Sequence, residues 1–172
     1  LGVNDNFTIS WKQNEWQFYN FINYYEENGK TLEHYFAIID EWFERKRWKI
    51  GKIYLPHDSS QKSHAFLVSW TTILEKFEQK YPGKIVYIPN KVSINDWIQE
   101  VRKLFPRIRF DSETCVQFIR CIENYKKDWD DVKKVFRDQP RHDWASHWAD
   151  NLRYFGISDK NEFTFTFDPF NW

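Results

Sequence analysis

The spacing of apolar and polar positions changes period several times along this chain, and the changes mark an alternation of strands and helices. Residues 8–12 and 15–24, rich in Trp, Phe, Tyr and Ile and separated by the polar pair Gln13-Asn14, predict two adjacent strands of a hairpin. Asn28-Gly29-Lys30 predicts a turn. After it Thr31 is placed to cap a helix whose apolar positions Leu32, Tyr35, Phe36, Ile39, Trp42 and Phe43 recur at helical spacing and which ends near Lys46. Residues 52–55 form a short β-like run stopped by Pro56, so His57 and Asp58 fall just beyond the carboxyl end of an expected parallel strand. Open α/β sheets place their ligands at such strand ends. A helix over 69–80, a strand over 84–88 and a helix over 93–105 are expected next.

Further on, Asp111 is the expected cap of a helix through Val116, Phe118, Ile119, Ile122 and Tyr125. The charged stretch 126–141 reads as an exposed loop or frayed helix. A last helix should begin near Asp143 and stop at Gly156, the residue type that closes helices in left-handed geometry. Residues 163–167 alternate Phe with Thr, as an edge strand would. The pattern is α/β, a mixed sheet flanked by helices, and the 172 residues suit one domain with a core over 1–156 and a tail over 157–172.

Composition narrows the classes. With 41% hydrophobic, 20% aromatic and 29% charged residues, the chain has material for both a packed interior and a solvated exterior, which excludes disorder. No apolar run approaches the roughly 20 residues needed to span a bilayer, and the first residues lack the pattern of a secretory signal, so a cytosolic protein is expected. Cys115 and Cys121 are six apart within one helical pattern and point to different sides, which argues against a disulfide or a metal site built on the pair. Lys+Arg and Asp+Glu both total 25, so no global basic field draws the chain onto nucleic acid, and any contact with DNA must use local patches. Three patches are candidates: Arg45, Lys46, Arg47 and Lys49; Arg102, Lys103, Arg107 and Arg109; and Lys133, Lys134, Arg137 and Arg141. The plain alternative for each is a solvated face.

Three constellations bear on chemistry. In the segment 140–154, Asp143, His147 and Asp150 are separated by four and three residues, so a helix would align them on one face; the plain alternative is a solvent-facing stripe with an Asp143–His147 ion pair. In Tyr54-Leu55-Pro56-His57-Asp58 a carboxylate and an imidazole stand together at a strand end. Asp58 joined to Asp150 from another element would offer a hard divalent cation carboxylate oxygens from separate rigid supports. In Asn4-Asp5-Asn6, polar residues lead into the first strand and could also be a simple turn. Gly29-Lys30-Thr31 imitates the end of a phosphate loop, but Tyr24 stands where the first glycine is needed, so there is no ATPase signature. A Gly-x-Ser-x-Gly elbow is also missing.

The order Leu1-Gly2-Val3-Asn4-Asp5-Asn6, then Tyr54-Leu55-Pro56-His57-Asp58, then the stretch from Pro140 through Asp143, Ser146-His147-Trp148-Ala149-Asp150-Asn151 to Tyr154 resembles the carboxyl-terminal nuclease domain of tailed-phage large terminase subunits, over about residues 1–156. That resemblance implies an RNase H-like fold whose carboxylates hold two Mg or Mn ions and cleave concatemeric double-stranded DNA. It places Asp58 and Asp150 at the second and third family carboxylates. The first stands directly before the Leu-Gly pair in the family, and this chain opens at Leu1; Asp5 matches a further acidic position and would assist as a metal ligand. Trp148 and Asn151 depart from the smaller residues usual beside the last carboxylate and are expected to crowd that region. In such an enzyme two cations about 3.5–4 Å apart activate water and stabilise the leaving oxygen. His57 and His147 would act in catalysis and His142 in support, Asp143 would fix an imidazole, and Lys133, Lys134, Arg137 and Arg141 would contact phosphates. The resemblance also implies an ATPase domain in the same polypeptide, portal and small terminase subunit as partners, and the host-cell cytoplasm as the location. Two other readings stand beside it: a non-catalytic DNA-binding or docking module of the packaging motor, and a junction-resolving nuclease of the same fold.

Overall fold

The computed structural model describes residues 7–61, 71–89, 93–141 and 143–162. Strand β1 (Phe7–Glu15) pairs antiparallel with β2 (Phe18–Glu27), with a register shift between Trp11 and Lys12. The hairpin turns at Trp16-Gln17, later than the expected break at Gln13-Asn14. Those two polar residues lie on the exposed end of β1 and report exposure, not a reversal. Trp16 takes a left-handed backbone (φ 56°) with its side chain wholly exposed.

Helix α1 (Leu32–Lys46) begins as its sequence requires, with the Thr31 hydroxyl accepting from the His34 backbone N–H, and it buries Leu32, Tyr35, Ile39 and Trp42. Strands β3 (Ile53–Leu55) and β4 (Ile85–Tyr87) pair in parallel, joined through α2 (Ile73–Lys80). A reciprocal capping box between Thr72 and Glu75 starts α2 at Ile73; the expected start at Ser69 lies outside the described residues. Helix α3 (Ile94–Leu104) is capped by Ser93.

A strand not anticipated, β5 (Ile108–Phe110), then pairs in parallel with β2, so the sheet β1-β2-β5 is mixed. Arg107 and Arg109, expected in a basic patch, alternate with Ile108 and Phe110 as a strand requires. Their guanidiniums lie over Tyr19 and Phe18, at 4.8 Å and 3.5 Å from the ring centroids.

Helix α4 (Val116–Asn124) starts a full turn after Asp111, whose carboxylate accepts from the backbone of Glu113 and Thr114 and so caps the preceding turn and not the helix. The stretch expected as loop or frayed helix is a hairpin, β6 (Lys127–Asp130) with β7 (Val135–Pro140). Its turn is organised by Asp130, which accepts from the backbone of Val132 and Lys133, and by left-handed Lys134 (φ 54°). Helix α5 (Ser146–Glu162) begins after Asp143 and runs straight through Gly156. The expected edge strand over 163–167 lies outside the described residues.

Side chains of β2 divide between two apolar clusters. Tyr19, Phe21 and Tyr24 join Phe118, Cys115, Cys121, Trp148, Leu152 and Phe155 beneath α3, α4 and α5, while Tyr25 joins Tyr35, Ile39, Leu55, Ile73 and Phe77 beneath α1 and α2. Cys115 and Cys121 are free and both buried in the same apolar cluster, Cys115 just before α4 and Cys121 within it. No helix among the described residues is long and apolar enough to cross a membrane.

Candidate metal centre

Pro56 ends β3, and the next four residues, His57–Ser60, form a single 3-10 turn at the carboxyl end of the parallel pair. Hydroxyls fix this turn: Ser59 Oγ donates to the Pro56 carbonyl at 2.6 Å, Ser60 Oγ to the His57 carbonyl at 2.8 Å, and the Tyr87 hydroxyl to the His57 carbonyl at 3.3 Å. Oδ1 of Asp58 is thereby held out of solvent.

Asp150 approaches from α5. Arg153, one turn on, donates through Nη2 to Asp150 Oδ1, and its side chain is only 11% exposed, lying over Trp97 of α3 at 5.7 Å. Tyr154, four residues after Asp150 and so on the same helix face, packs edge-on to Trp97 at 5.0 Å and brings its hydroxyl to 3.0 Å from Nδ1 of His57. Burial raises the Tyr154 phenol pKa well above its ordinary range, and the negative charges of Asp58 and Asp150 raise it further. The carboxylates of Asp58 and Asp150, 92 positions apart in the chain, both add to this upward push on the phenol.

The other expected residues fall as follows. His147 is half-buried on α5, three residues before Asp150. Asp143 is not on that helical face. It sits in the turn before α5, where Oδ1 accepts from the Ala145 N–H, the carbonyl accepts from Ser146, and Oδ2 lies 3.5 Å from Nε of Arg141. Its short side chain caps the helix entrance, a role that excludes the expected alignment with His147 and Asp150. Asp5 and His142 lie outside the described residues. Trp148 and Asn151 do not crowd Asp150: Trp148 is fully buried, its indole N–H donating to Glu26, and Asn151 turns to β1, accepting from Ser10 Oγ at 2.7 Å.

Of the basic quartet, Lys133 and Lys134 are exposed in the β6–β7 turn, while Arg137 pairs with Asp128 (3.3 Å) and Asp130 (3.7 Å) and Arg141 with Asp143. Carboxylates thus compensate half of the charge expected to face phosphates. A cavity of about 500 Å³ between the β1–β2 hairpin and α1 includes none of the candidate residues of the carboxylate site, and with Glu41, Glu44 and a single cation, Arg45, in its lining it is no cradle for an anion.

Sequence reasoning missed Arg153, Tyr154, Trp97 and Tyr87. Spacing could have found the first two, since they stand three and four residues after Asp150, whereas Trp97 and Tyr87 belong to separate elements that only the fold brings in. Among the described residues no three His, Cys, Asp or Glu side chains cluster as a metal site.

Comparison with known proteins gives a consistent picture. The chain is 28% identical over 141 residues to the terminase large subunit of Escherichia phage T5, a stretch covering 79% of this chain and 28% of that protein. It is homologous to phage large terminase and spans little more than a quarter of that relative's length. Among solved structures it resembles the large terminase of a thermophilic bacteriophage, with a TM-score of 0.66 at 16% identity, covering 92% of this chain and 38% of that one. A complex of the same thermophilic phage protein with ADP gives 0.64 at 18% identity, with 92% and 37% covered. The mixed sheet flanked by helices matches that fold. No family model matches the chain.

Proposed function

We propose that the chain is the nuclease domain of a phage DNA-packaging terminase, an RNase H-like domain that cleaves concatemeric double-stranded DNA with two divalent cations, Mg or Mn. The observation that carries this reading is the contact of the Tyr154 hydroxyl, on α5 four residues after Asp150, with His57, which stands next to Asp58 at a parallel strand end and so joins the two elements that bear the carboxylates. Carboxylate oxygens on separate rigid elements suit a hard cation. Asp58 and Asp150 would hold the ions, with Asp5 as the expected further ligand.

Arg153 fits this arrangement. It engages one oxygen of Asp150, and a carboxylate offers about four lone-pair sites, so the ion pair and ligation are compatible. When bound, the cations supply an activated water and neutralise charge at the leaving oxygen of the phosphodiester. The chain's own residues set the stage. Arg153 orients the Asp150 carboxylate, the Tyr154–His57 contact ties α5 to the end of β3, and exposed Lys133 and Lys134, with Arg137 and Arg141, meet backbone phosphates without reading sequence. The same reading makes DNA, an ATPase domain of the same polypeptide, the portal and the small terminase subunit its partners in the host cytoplasm.

The test is nicking of supercoiled plasmid in Mg²⁺ or Mn²⁺, expected for the wild type, abolished by chelation and lost in Asp58→Asn and Asp150→Asn. A second reading, a DNA-binding or docking module that does not cut, draws on the lack of a third clustered carboxylate among the described residues. Duplex binding with no cleavage in either metal would establish that second reading and overturn the first.

A further inference from the structure

Tyr154, one helical turn after Asp150, makes a side-chain contact that joins α5 to the turn bearing Asp58. Its ring is held by Trp97, itself 4% exposed, and the hydroxyl is directed at Nδ1 of His57. The backbone of His57 is fixed independently, since its carbonyl accepts from Ser60 Oγ and from the Tyr87 hydroxyl. Donor, acceptor and backbone are therefore all located by groups other than the imidazole, which leaves the proton position on the ring as the one open variable.

A neutral imidazole carries its proton on one nitrogen and accepts at the other, and the partner of one nitrogen decides the tautomer. A phenol keeps its proton at neutral pH. The phenol oxygen shares a lone pair with its ring, which makes it a poor acceptor and a good donor, so the phenol serves His57 as donor. Nδ1 then accepts and Nε2 must bear the hydrogen. Nδ1 is the ring nitrogen that faces Tyr154, so the Nε2–H donor points away from it.

We infer that Tyr154 is a positioning residue that fixes His57 as the Nε2–H tautomer and thereby presents an N–H donor, beside Asp58, to a non-bridging phosphate oxygen of bound DNA. The inference rests on the nuclease reading for the identity of the ligand, while the tautomer itself does not depend on it. Tyr154 acts through another side chain, in the way that partners of functional imidazoles fix their ring orientation.

The experiment is long-range ¹H–¹⁵N NMR of the metal-free 172-residue chain with ¹⁵N-labelled histidine, at about pH 8.5, some two units above the ordinary imidazole pKa. His57 is assigned by loss of its signals in His57→Gln. In the wild type, Nε2 should show the shift of a protonated nitrogen and Nδ1 that of an unprotonated one. In Tyr154→Phe, which keeps the ring against Trp97, the two shifts should move towards each other as the tautomers mix. Adding a short DNA duplex should move Nε2 more than Nδ1 in the wild type. Protonated Nδ1 in the wild type, or unchanged shifts in a folded Tyr154→Phe, would overturn the inference; should that variant not fold, the wild-type spectrum decides alone.

In the plasmid assay Tyr154→Phe should lower the cleavage rate at saturating DNA on the order of tenfold with KM little changed, the scale on which orienting partners act. Failure of the nuclease reading would appear as no cleavage by the wild type, and a duplex that moves neither nitrogen would remove the phosphate contact even if the tautomer is as stated. The two failures are thus read in different measurements.

Discussion

Gly156 lies within α5 where that helix crosses α3, and an added Cβ there would stand 2.7 Å from Cγ2 of Val101, 3.2 Å from its backbone nitrogen and 3.4 Å from its Cα. Two effects compete in Gly156→Ala. Alanine favours a helix interior by about 1 kcal/mol relative to glycine. Against this, forcing a methyl group into a packed contact costs about 1–3 kcal/mol. Val101 cannot relieve the clash cheaply, because a β-branched side chain in a helix has essentially one χ1 rotamer, and two of the three close atoms are backbone. The helices must separate, which puts the overpacking cost at its upper end, about 2–3 kcal/mol, and leaves a net loss of about 1–2 kcal/mol. For a chain of this size each kcal/mol moves Tm by about 2–4 °C, which gives a fall of about 2–8 °C by calorimetry. Removing the offending methyl in Gly156→Ala with Val101→Ala should recover a coupling of about 1 kcal/mol in a double-mutant cycle. Tyr154 is only two residues from Gly156, so separating the helices should also loosen its contact with His57. A Tm for Gly156→Ala equal to or above that of the wild type would refute the close approach.

Trp148→Phe should lose about 2–4 kcal/mol, from a charge-assisted hydrogen bond to Glu26 and a void against Tyr24 and Phe118, measured by urea unfolding. Thr72→Ala should cost about 1 kcal/mol by breaking both halves of the α2 capping box, with no change in plasmid nicking. Burial pushes the Cys121 thiol up to about 12 and the Cys115 thiol also upward, so neither should react with a disulfide reagent in the native chain, and both should react on unfolding. Hydrogen bonds from Tyr25, Lys30 and His34 hold the Glu27 carboxyl below its ordinary pKa, and backbone donors do the same for Asp111. Groups depressed in the folded state stabilise it above their unfolded pKa and lose that contribution as pH falls, so stability should decline below about pH 4, and Glu27→Gln should flatten that acid limb.

What the sequence made legible, and what it hid, divides along one physical line. Local signals that act within a turn or two were readable: Thr31 caps a helix where it stands, Pro56 ends a strand, and the periodic face of α1 supplies its buried residues. The misreadings arise where one residue type serves two local purposes and only tertiary contact decides between them. Gly156 has the look of a helix stop because glycine relieves left-handed strain, but here it is small so that α3 can approach. Charged residues 126–141 have the look of a solvated, irregular stretch, yet Arg137 pairs with Asp128 and Asp130 across the β6–β7 hairpin, so the charge pattern was cross-strand pairing. Asp111 and Asp143 suggest a helix cap and a site residue, but both are turn caps, a use open to any short carboxylate beside free backbone N–H groups. Asp58 and Asp150 were singled out together only because an ordered set of motifs stood around them. The contact that ties their two elements together was not legible, since the distance between Tyr154 and His57 is a property of how α5 lies across α3 and β3. For that reason the glycine at the crossing and the tyrosine beside it stand or fall together: if α5 can move freely against α3, the carboxylate pair has no fixed geometry to offer a cation.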